Sequence, residues 1–220
     1  MSLRHPNIVT FIGTCVDSNI YYVVTEYMEK RSLKNVLENK SYELTTYDKI
    51  KFCLDIAIAV NYLHSRKPQV FHRDLKSSNC LVDSGNRIKL CDFGLSKTYE
   101  EFCSKRVSAY ETNTVSTCYW MAPEFLKDNL FSDKADVYAY GILCWEIMMR
   151  NTIPYKNIPE VTFLCADPEV LKMRPEIPDD FDSDIRALIE KCWDGDYQMR
   201  PNFNSVVKEL ENLLKIYQPK

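Results

Sequence analysis

Short apolar runs alternate with polar turns in the first part of the chain. Residues 8–16 and 20–27 are rich in β-branched and aromatic side chains, and the polar stretch Asp17–Asn19 separates them. This pattern predicts a β-hairpin. Ser32 is a candidate N-cap, and the apolar spacing that follows it predicts a short helix over 32–39.

Two longer segments carry the apolar spacing of helices. The first opens at Thr45, has Asp48 three residues later as in a capping box, and keeps apolar residues at helical spacing as far as Leu63. The second, residues 132–150, is apolar nearly all round, which indicates a helix inside a lobe. Asp136 is the exception in that segment, so we expect this carboxylate to meet polar groups in the core.

The C-terminal part of the chain continues as helices joined by loops. Segments 183–193 and 203–217 have apolar residues at helical spacing, and the prolines between residues 154 and 178 indicate loops between helices. No internal repeat, low-complexity tract or linker divides the chain. The pattern therefore predicts one α+β domain, with strands towards the N-terminus and helices in most of the remainder.

A polar stretch, His72–Asn79, stands between short apolar pieces. Val70-Phe71 precedes it and Cys80–Val82 follows it, and a turn at Ser84–Asn86 then leads into Ile88–Leu90. The sequence therefore places the polar stretch in a loop between short strands.

Charge and hydropathy exclude several classes of function. The chain has 220 residues with 28 basic and 31 acidic side chains, so it lacks the positive charge of a nucleic-acid-binding protein. No apolar stretch is long enough to span a bilayer, and the first six residues lack the hydrophobic region of a signal peptide. We therefore expect no nucleic-acid partner, no membrane contact by this chain, and a cytoplasmic location.

The cysteines give no indication of a metal site. There are nine, widely spaced and without a C-x-x-C pair, and only three scattered histidines accompany them. A zinc site needs paired and clustered ligands. We interpret the cysteines as thiols, mostly buried, in a reducing compartment.

The polar stretch and a later triplet supply what phosphoryl transfer requires. That reaction needs neutralised phosphate charge, a group that orients and deprotonates the attacking hydroxyl, and in-line positioning. Asp74 is the candidate for the hydroxyl and Lys76 for the phosphate charge, whereas Asn79 and Asp92 offer the hard oxygen ligands that magnesium prefers. Each residue alone has an ordinary explanation, such as a turn cap or a solvated lysine. Their order and context favour catalysis.

Three motifs give the chain its resemblance to a known family. The sequences HRDLKSSN at 72–79, DFG at 92–94 and APE at 122–124 follow one another as in protein kinases. Arg4–Val9 is similar to the H-P-N-I-V entry to the fourth strand of the kinase small lobe. The chain resembles that family from this loop to the end of the large lobe.

The resemblance implies a protein kinase-like fold in which the small-lobe β-sheet is truncated. Residues 1–28 would be a remnant of the small lobe and hinge, and residues 29–220 the mostly helical large lobe. No glycine-rich loop and no V-A-I-K lysine can be assigned. We therefore expect the isolated chain to bind ATP poorly, to transfer phosphate weakly and to aggregate.

The resemblance also implies ATP and Mg²⁺ as cofactors and a protein as substrate. Thr25 would be the gatekeeper, the backbones of Glu26 and Met28 would face adenine, and Leu81 would pack beneath the ring. Asp92 would hold the metal, together with the asparagine of the catalytic loop.

Other positions match structural residues of the family. Asp136 resembles the aspartate that anchors the catalytic-loop backbone, and Glu124 and Arg200 resemble a buried ion pair. Members of the regulatory spine match Phe11, His72 and Phe93.

The acceptor specificity follows from a mixture of features. Lys76 after the catalytic aspartate, with Thr117 ahead of the APE motif, resembles serine/threonine kinases. Trp120-Met121 and Cys192-Trp193 resemble tyrosine kinases. This mixture is similar to the tyrosine-kinase-like group and implies serine/threonine specificity, although Ser116 and Arg31 both replace a glycine that is usual there.

Between the DFG and APE motifs lies a segment rich in hydroxyl groups. We hypothesise that one or more of them is phosphorylated and paired with Arg73, because phosphates opposite arginines order such segments. The candidates are Thr98, Tyr99, Ser104, Ser108, Tyr110, Thr112, Thr114 and Ser116.

Two functional readings remain open. In the first, the chain is a shortened form of an active kinase, since its candidate catalytic and metal-binding residues are all intact. In the second, it is a non-catalytic kinase-like interaction module, and a partner chain covers its incomplete small lobe. Intact metal ligands favour the first.

Overall fold

The N-terminal hairpin is present in the structure, a computed structural model that describes residues 3–18, 20–93, 96–98, 115–130 and 132–218. Strand β1 (Phe11–Asp17) pairs antiparallel with β2 (Ile20–Thr25), with Cys15 opposite Tyr22. The predicted hairpin is confirmed, although both strands are shorter than the apolar runs. Ile8 instead forms a separate parallel bridge with Leu90.

Both faces of this hairpin are largely exposed to water. Phe11 is 60%, Tyr21 84% and Val23 70% exposed, although all three are apolar or aromatic. An apolar surface with unpaired strand edges favours association with other chains.

The exposed hairpin leads to a prediction for the isolated chain. Tyr21 and Val23 are two residues apart in a strand and so share one face. Replacing both with lysine should shift the chain from self-associated species towards monomer, measured by analytical ultracentrifugation between about 1 and 50 μM. Met199→Lys is the matched control, because Met199 is 70% exposed but lies outside the hairpin. An equal shift with the control would contradict a specific role of the hairpin.

The first two helices begin where their caps predict. Helix α1 (Leu33–Glu38) is capped by Ser32, whose Oγ lies 3.3 Å from the Asn35 backbone N. Helix α2 (Thr46–His64) starts with the predicted capping box: Thr45 Oγ1 accepts the Asp48 N–H at 3.1 Å, and Asp48 Oδ2 accepts the Thr45 N–H at 3.0 Å. Local sequence is sufficient for these helix starts because every contact spans three residues.

The core is centred on one buried helix, numbered α4 here, which covers Asp133–Met149. Tyr140 donates its hydroxyl to the Cys53 carbonyl at 2.9 Å, which joins α4 to α2. Gly141 allows close packing on the other side, because an added Cβ would lie 3.0 Å from Cys192 Cβ. Close packing of α4 on both sides explains why its sequence is apolar nearly all round.

Short strands frame the polar stretch, as predicted. Strand β3 (Val70–Phe71) precedes it, and β4 (Cys80–Val82) pairs antiparallel with β5 (Ile88–Leu90) after it. A 3₁₀ turn covers Ser77–Asn79. β3 pairs with β6 (Lys97–Thr98), a strand that the sequence did not predict because its two residues are polar and form no apolar run.

The proline-rich loops contain short helices that were not predicted. Helix α5 (Glu160–Leu164) follows Pro159, and α6 (Pro168–Lys172) has proline at its first position and Asp167 as N-cap. Helix α3 (Pro123–Asp128) also begins with proline. The prolines were interpreted as loop signals, but proline is compatible with the first turn of a helix.

Two further helices complete the large helical part, α7 (Ser183–Cys192) and α8 (Phe203–Ile216). Both predicted helices are confirmed, with ends within one residue of those expected. The α+β class with a mostly helical large lobe is likewise confirmed. Within the described ranges, no helix has the length and apolarity needed to cross a bilayer.

Candidate active site

Helix α4 anchors the start of the polar loop. The carboxylate of Asp136 is buried and accepts the backbone N–H groups of His72 and Arg73, both at 2.9 Å, and His64 Nε2 lies 2.8 Å from Asp136 Oδ2. Burial disfavours the charge of this carboxylate, but the hydrogen bond and charge of His64 outweigh it, so the pKa of Asp136 is lowered. The predicted anchor is present, and His64 is a partner that the sequence did not reveal.

The next residues are held in one conformation by buried contacts. His72 Nε2 lies 3.2 Å from the Cys91 carbonyl oxygen, and His72 Nδ1 accepts the Asp74 N–H at 3.3 Å, which matches a neutral ring protonated at Nε2. Burial lowers the pKa of His72, in agreement with the neutral form. Arg73 adopts a φ of 69°, a left-handed conformation that non-glycine residues adopt only when their surroundings require it.

The three candidate catalytic side chains of the loop lie together. Asn79 Nδ2 donates to Asp74 Oδ2 at 2.7 Å and to the Asp74 carbonyl at 2.9 Å. Lys76 Nζ lies 3.2 Å from Asp74 Oδ1, an ion-pair contact, yet that oxygen accepts no hydrogen bond from the described residues. Asp74 Oδ1 is thus a buried oxygen that lacks a hydrogen-bond donor in the described residues, and an incoming hydroxyl could supply one.

Thr117 joins the same group from a distant part of the chain. It belongs to a 3₁₀ segment, Val115–Trp120, and Lys76 Nζ donates to Thr117 Oγ1 at 2.9 Å. The Thr117 side chain is buried. Lys76 is therefore fixed between Asp74 and Thr117.

The strand β5 delivers Asp92 to the same region. Cys91, which follows β5, donates its N–H to the Asn79 carbonyl at 3.0 Å, and the Phe93 ring lies 5.2 Å from the His72 ring. Asp92 has a φ of 59° and is exposed to solvent. Gly94 of the DFG motif lies outside the described residues.

The donor set fits a hard divalent cation that is shared with a phosphate ligand. Both donor bonds of the Asn79 amide go to Asp74, and Asn79 Oδ1 receives no donor from the described parts of the chain. Oδ1 and the exposed carboxylate of Asp92 are hard oxygen ligands. No group of three His, Cys, Asp or Glu side chains in the described ranges could hold a metal alone.

The predicted adenine contacts lie along the exit from β2. The Thr25 hydroxyl donates to the Glu26 carbonyl at 3.2 Å, while Met28 is buried and its carbonyl accepts the Arg31 N–H at 3.1 Å. Leu81 on β4 is partly exposed opposite Lys89. Of the three residues that match the regulatory spine, His72 and Phe93 are in contact in the described structure. The third, Phe11, is largely exposed on the hairpin.

Comparison with known proteins supports the resemblance to protein kinases. The sequence profile of protein tyrosine and serine/threonine kinases matches residues 1–210. The chain belongs to the protein kinase family. This kinase chain is 40% identical over 209 residues to the probable serine/threonine-protein kinase drkC of Dictyostelium discoideum, covering 95% of the chain and 27% of the relative.

Two other relatives extend this comparison. The kinase chain is 36% identical over 210 residues to the dual specificity protein kinase shkA of D. discoideum, covering 96% of the chain and 39% of the relative. It is also 36% identical over 225 residues to the serine/threonine-protein kinase CTR1 of Arabidopsis thaliana, covering 99% of the chain and 26% of the relative. The chain thus spans between 26% and 39% of the length of these relatives.

Glu146 is a residue of the kinase site that the sequence analysis missed. It is fully buried on α4; its Oε1 accepts the Ser77 hydroxyl at 2.6 Å and its Oε2 accepts the Trp120 indole N–H at 2.9 Å. One carboxyl group therefore joins the catalytic loop to the Thr117 segment. We interpreted Asp136 as the exception in this apolar segment, but Glu146 is a second buried acid in the same helix, and its position among apolar residues could have identified it.

The buried position of Glu146 predicts a pH dependence of stability. Burial raises the pKa of Glu146 to about 7, and hydrogen bonds from Ser77 and Trp120 offset only part of the rise. Because the folded state then binds a proton more tightly than the unfolded state, this group stabilises most below its unfolded pKa of about 4.5. That stability should be lost as the pH rises to about 7, by up to about 3 kcal/mol.

Glu146→Gln is the matched variant for this prediction. Glutamine can accept from Trp120 and donate to the Ser77 hydroxyl, but it does not titrate. Urea denaturation between pH 4.5 and 7.5 should show the unaltered chain losing stability relative to Glu146→Gln. A constant difference between the two proteins would show that Glu146 does not titrate in this range.

The hypothesis of phosphorylated hydroxyls paired with Arg73 stays a prediction. Six of the eight candidates fall at 99–114, outside the described residues. For Thr98 and Ser116 only the backbone is described.

Proposed function

We propose that this chain is a protein kinase domain that transfers the γ-phosphate of ATP to serine or threonine hydroxyls of protein substrates, and that the isolated chain does so weakly. The observation that carries the proposal is the arrangement of Asp74, Lys76 and Asn79 within hydrogen-bonding or ion-pair distance, in which Asp74 Oδ1 is buried and receives no hydrogen bond from the described residues. Phosphoryl transfer needs mainly positioning and charge stabilisation, and these groups supply both.

Each residue has a defined part in this reaction. Asp74 accepts the hydrogen bond of the substrate hydroxyl and directs its oxygen towards the phosphorus. Lys76 places its ammonium group beside the same carboxylate, where it can stabilise negative charge on the transferring phosphoryl group. Asn79 Oδ1 and the Asp92 carboxylate would hold Mg²⁺, which supplies charge neutralisation on the nucleotide phosphates.

The nucleotide would lie between the hinge and the β4–β5 strands. The kinase resemblance assigns the Glu26 carbonyl and the Met28 N–H to the edge of adenine, and Leu81 would pack beneath the ring. Support comes from the backbone of Met28, whose carbonyl accepts the Arg31 N–H and whose own N–H donates to none of the described residues.

Serine/threonine specificity is supported by the Lys76 contact with Thr117. That 2.9 Å hydrogen bond places the lysine in the acceptor region with its amine directed to Asp74 and Thr117. The relatives drkC and CTR1 are named serine/threonine-protein kinases, and shkA is named a dual specificity kinase. We also propose a cytoplasmic location, which the buried free thiols support.

The test combines a measurement of ATP binding with identification of the amino acid that receives the phosphate. ATP titration should give tighter binding with Mg²⁺ than without it, and Asp92→Ala should remove that difference. Transfer of labelled phosphate to a generic protein substrate, followed by acid hydrolysis, should yield phosphoserine or phosphothreonine. Predominant phosphotyrosine would contradict the specificity, and Mg²⁺-independent binding would contradict the assigned metal ligands.

The exposed hairpin favours a second candidate, a kinase-like interaction module whose partner covers the small lobe. Phe11, Tyr21 and Val23 form the apolar surface that such a partner would bury. A module of this kind would bind a partner without nucleotide and would show no transfer. Transfer that Asp92→Ala abolishes would decide in favour of the enzyme.

A further inference from the structure

The backbone of Glu26 is proposed to contact adenine, but its side chain also makes two short hydrogen bonds. Its Oε2 accepts a hydrogen bond from Lys89 Nζ at 2.6 Å, and its Oε1 accepts the Thr10 N–H at 2.7 Å. The Glu26 N–H in turn donates to the Thr10 carbonyl at 3.0 Å. The first residue of the hinge is thus held at its backbone and at both carboxylate oxygens.

This ion pair is partly shielded from water. The Glu26 side chain is 28% exposed and that of Lys89 is 15% exposed. Burial opposes the charge of Glu26, but the hydrogen bonds from Lys89 and Thr10 outweigh it and lower the pKa of Glu26. The short contact and the partial burial of both side chains distinguish this pair from a solvated surface pair of weak and variable geometry.

Lys89 belongs to the strand that delivers the candidate metal ligand. It is the central residue of β5, directly opposite Leu81 on β4, and residues opposite each other in an antiparallel pair share a face. Three residues further along the chain is Asp92, and between them Cys91 donates its N–H to the Asn79 carbonyl at 3.0 Å. One end of the ion pair is therefore on the hinge, and the other is on the Asp92 strand.

We propose that Glu26 and Lys89 are a positioning pair that sets the distance between the adenine end and the metal end of the nucleotide cleft. The proposal rests on the proposed function, because it assigns the pair a role in binding Mg²⁺-ATP. Neither side chain needs to touch the nucleotide. Glu26 acts through its own backbone, and Lys89 acts through the strand that carries Asp92.

The affinities for adenosine and for Mg²⁺-ATP distinguish a positioning pair from an ion pair that only stabilises the surface. Adenosine needs only the adenine end of the cleft, whereas Mg²⁺-ATP needs both ends in register. Lys89→Met keeps the apolar stem and removes the charge. It should therefore weaken Mg²⁺-ATP binding by about tenfold and adenosine binding by no more than about twofold. A surface pair would leave both affinities unchanged, and general destabilisation would lower both equally.

Hydrogen exchange supplies a readout that does not depend on nucleotide. In Lys89→Met, the Glu26 and Cys91 amides should exchange about tenfold faster than in the unaltered chain, as measured by mass spectrometry of short peptides. The Leu143 amide in the buried helix α4 reports global unfolding and should be unchanged. Lys172→Met is the matched control, because Lys172 forms an exposed pair with Glu169 at 2.8 Å.

The outcomes separate the two proposals. Faster exchange at both the hinge and the Asp92 strand, together with selective loss of Mg²⁺-ATP affinity, supports the positioning pair. Unchanged exchange at Cys91, or equal losses for adenosine and Mg²⁺-ATP, overturns it. If the unaltered chain binds neither ligand, the proposed function fails, and the exchange rates still decide whether the pair couples hinge and strand.

Discussion

Replacing Asp74 with asparagine should reduce phosphoryl transfer by about 10²- to 10⁴-fold, the range expected when a group that orients and deprotonates the acceptor is lost. Asp74 Oδ1 is the buried acceptor atom beside Lys76 that lacks a hydrogen-bond donor in the described residues, and an amide in place of the carboxylate can no longer take the hydroxyl proton. Single-turnover assays with the chain in excess over substrate can detect slow transfer. They are the appropriate measurement because we expect the isolated chain to be weakly active.

The Asp74→Asn variant should remain folded. Asparagine retains an oxygen that can accept the Asn79 amide hydrogen bond, and Lys76 keeps its bond to Thr117, so the fold should persist although loss of the Asp74–Lys76 ion pair lowers the unfolding temperature. Asp128→Asn is the control for an exposed carboxylate at the end of α3. Transfer by Asp74→Asn within tenfold of the unaltered chain would remove Asp74 from the mechanism.

The second large effect is expected at Arg200, and it concerns stability. Arg200 is buried and makes a bidentate pair with Glu124, with Nη1 to Oε1 at 2.7 Å and Nη2 to Oε2 at 2.8 Å. Its guanidinium also donates to the carbonyls of Asp194 at 2.9 Å and Lys134 at 3.0 Å. Arg200→Met would strand the Glu124 carboxylate and both carbonyls, at a cost of about 3–5 kcal/mol.

Urea unfolding monitored by circular dichroism measures this cost. The double variant Glu124→Gln/Arg200→Met should lose less stability than the sum of the two single variants, because the stranded charge is removed together with its partner. Lys172→Met, which breaks the exposed pair with Glu169, should change the unfolding free energy by less than about 1 kcal/mol. A loss at Arg200 no larger than this control would mean that the buried pair does not stabilise the fold.

The sequence predicted much of the local structure because the relevant contacts are short-range. Ser32 and Thr45 identify helix starts through hydrogen bonds that span three residues. The apolar spacing identifies the buried helix α4 in the same way. The short helices α5 and α6 were missed, since five residues are too few to show a period.

The candidate site was only partly predictable. The order of the HRD, DFG and APE motifs indicated the chemistry, and the structure brings Asp74, Lys76 and Asn79 into contact. Their catalytic and metal-binding roles stay predictions for the experiments above. The partners that hold these residues were not apparent, because an isolated acid in a helix does not show what it will bond.

What the sequence determined by itself is the set of local elements, the family motifs and the chemical types available in one loop. Only the tertiary structure decided which distant side chains meet: His64 with Asp136, Ser77 and Trp120 with Glu146, and Glu26 with Lys89. The physical reason is the separation along the chain between the residues in contact. Caps and periodicity are set by neighbours a few residues apart, whereas these pairs are 26 to 72 residues apart and form only when packing brings their polar side chains together.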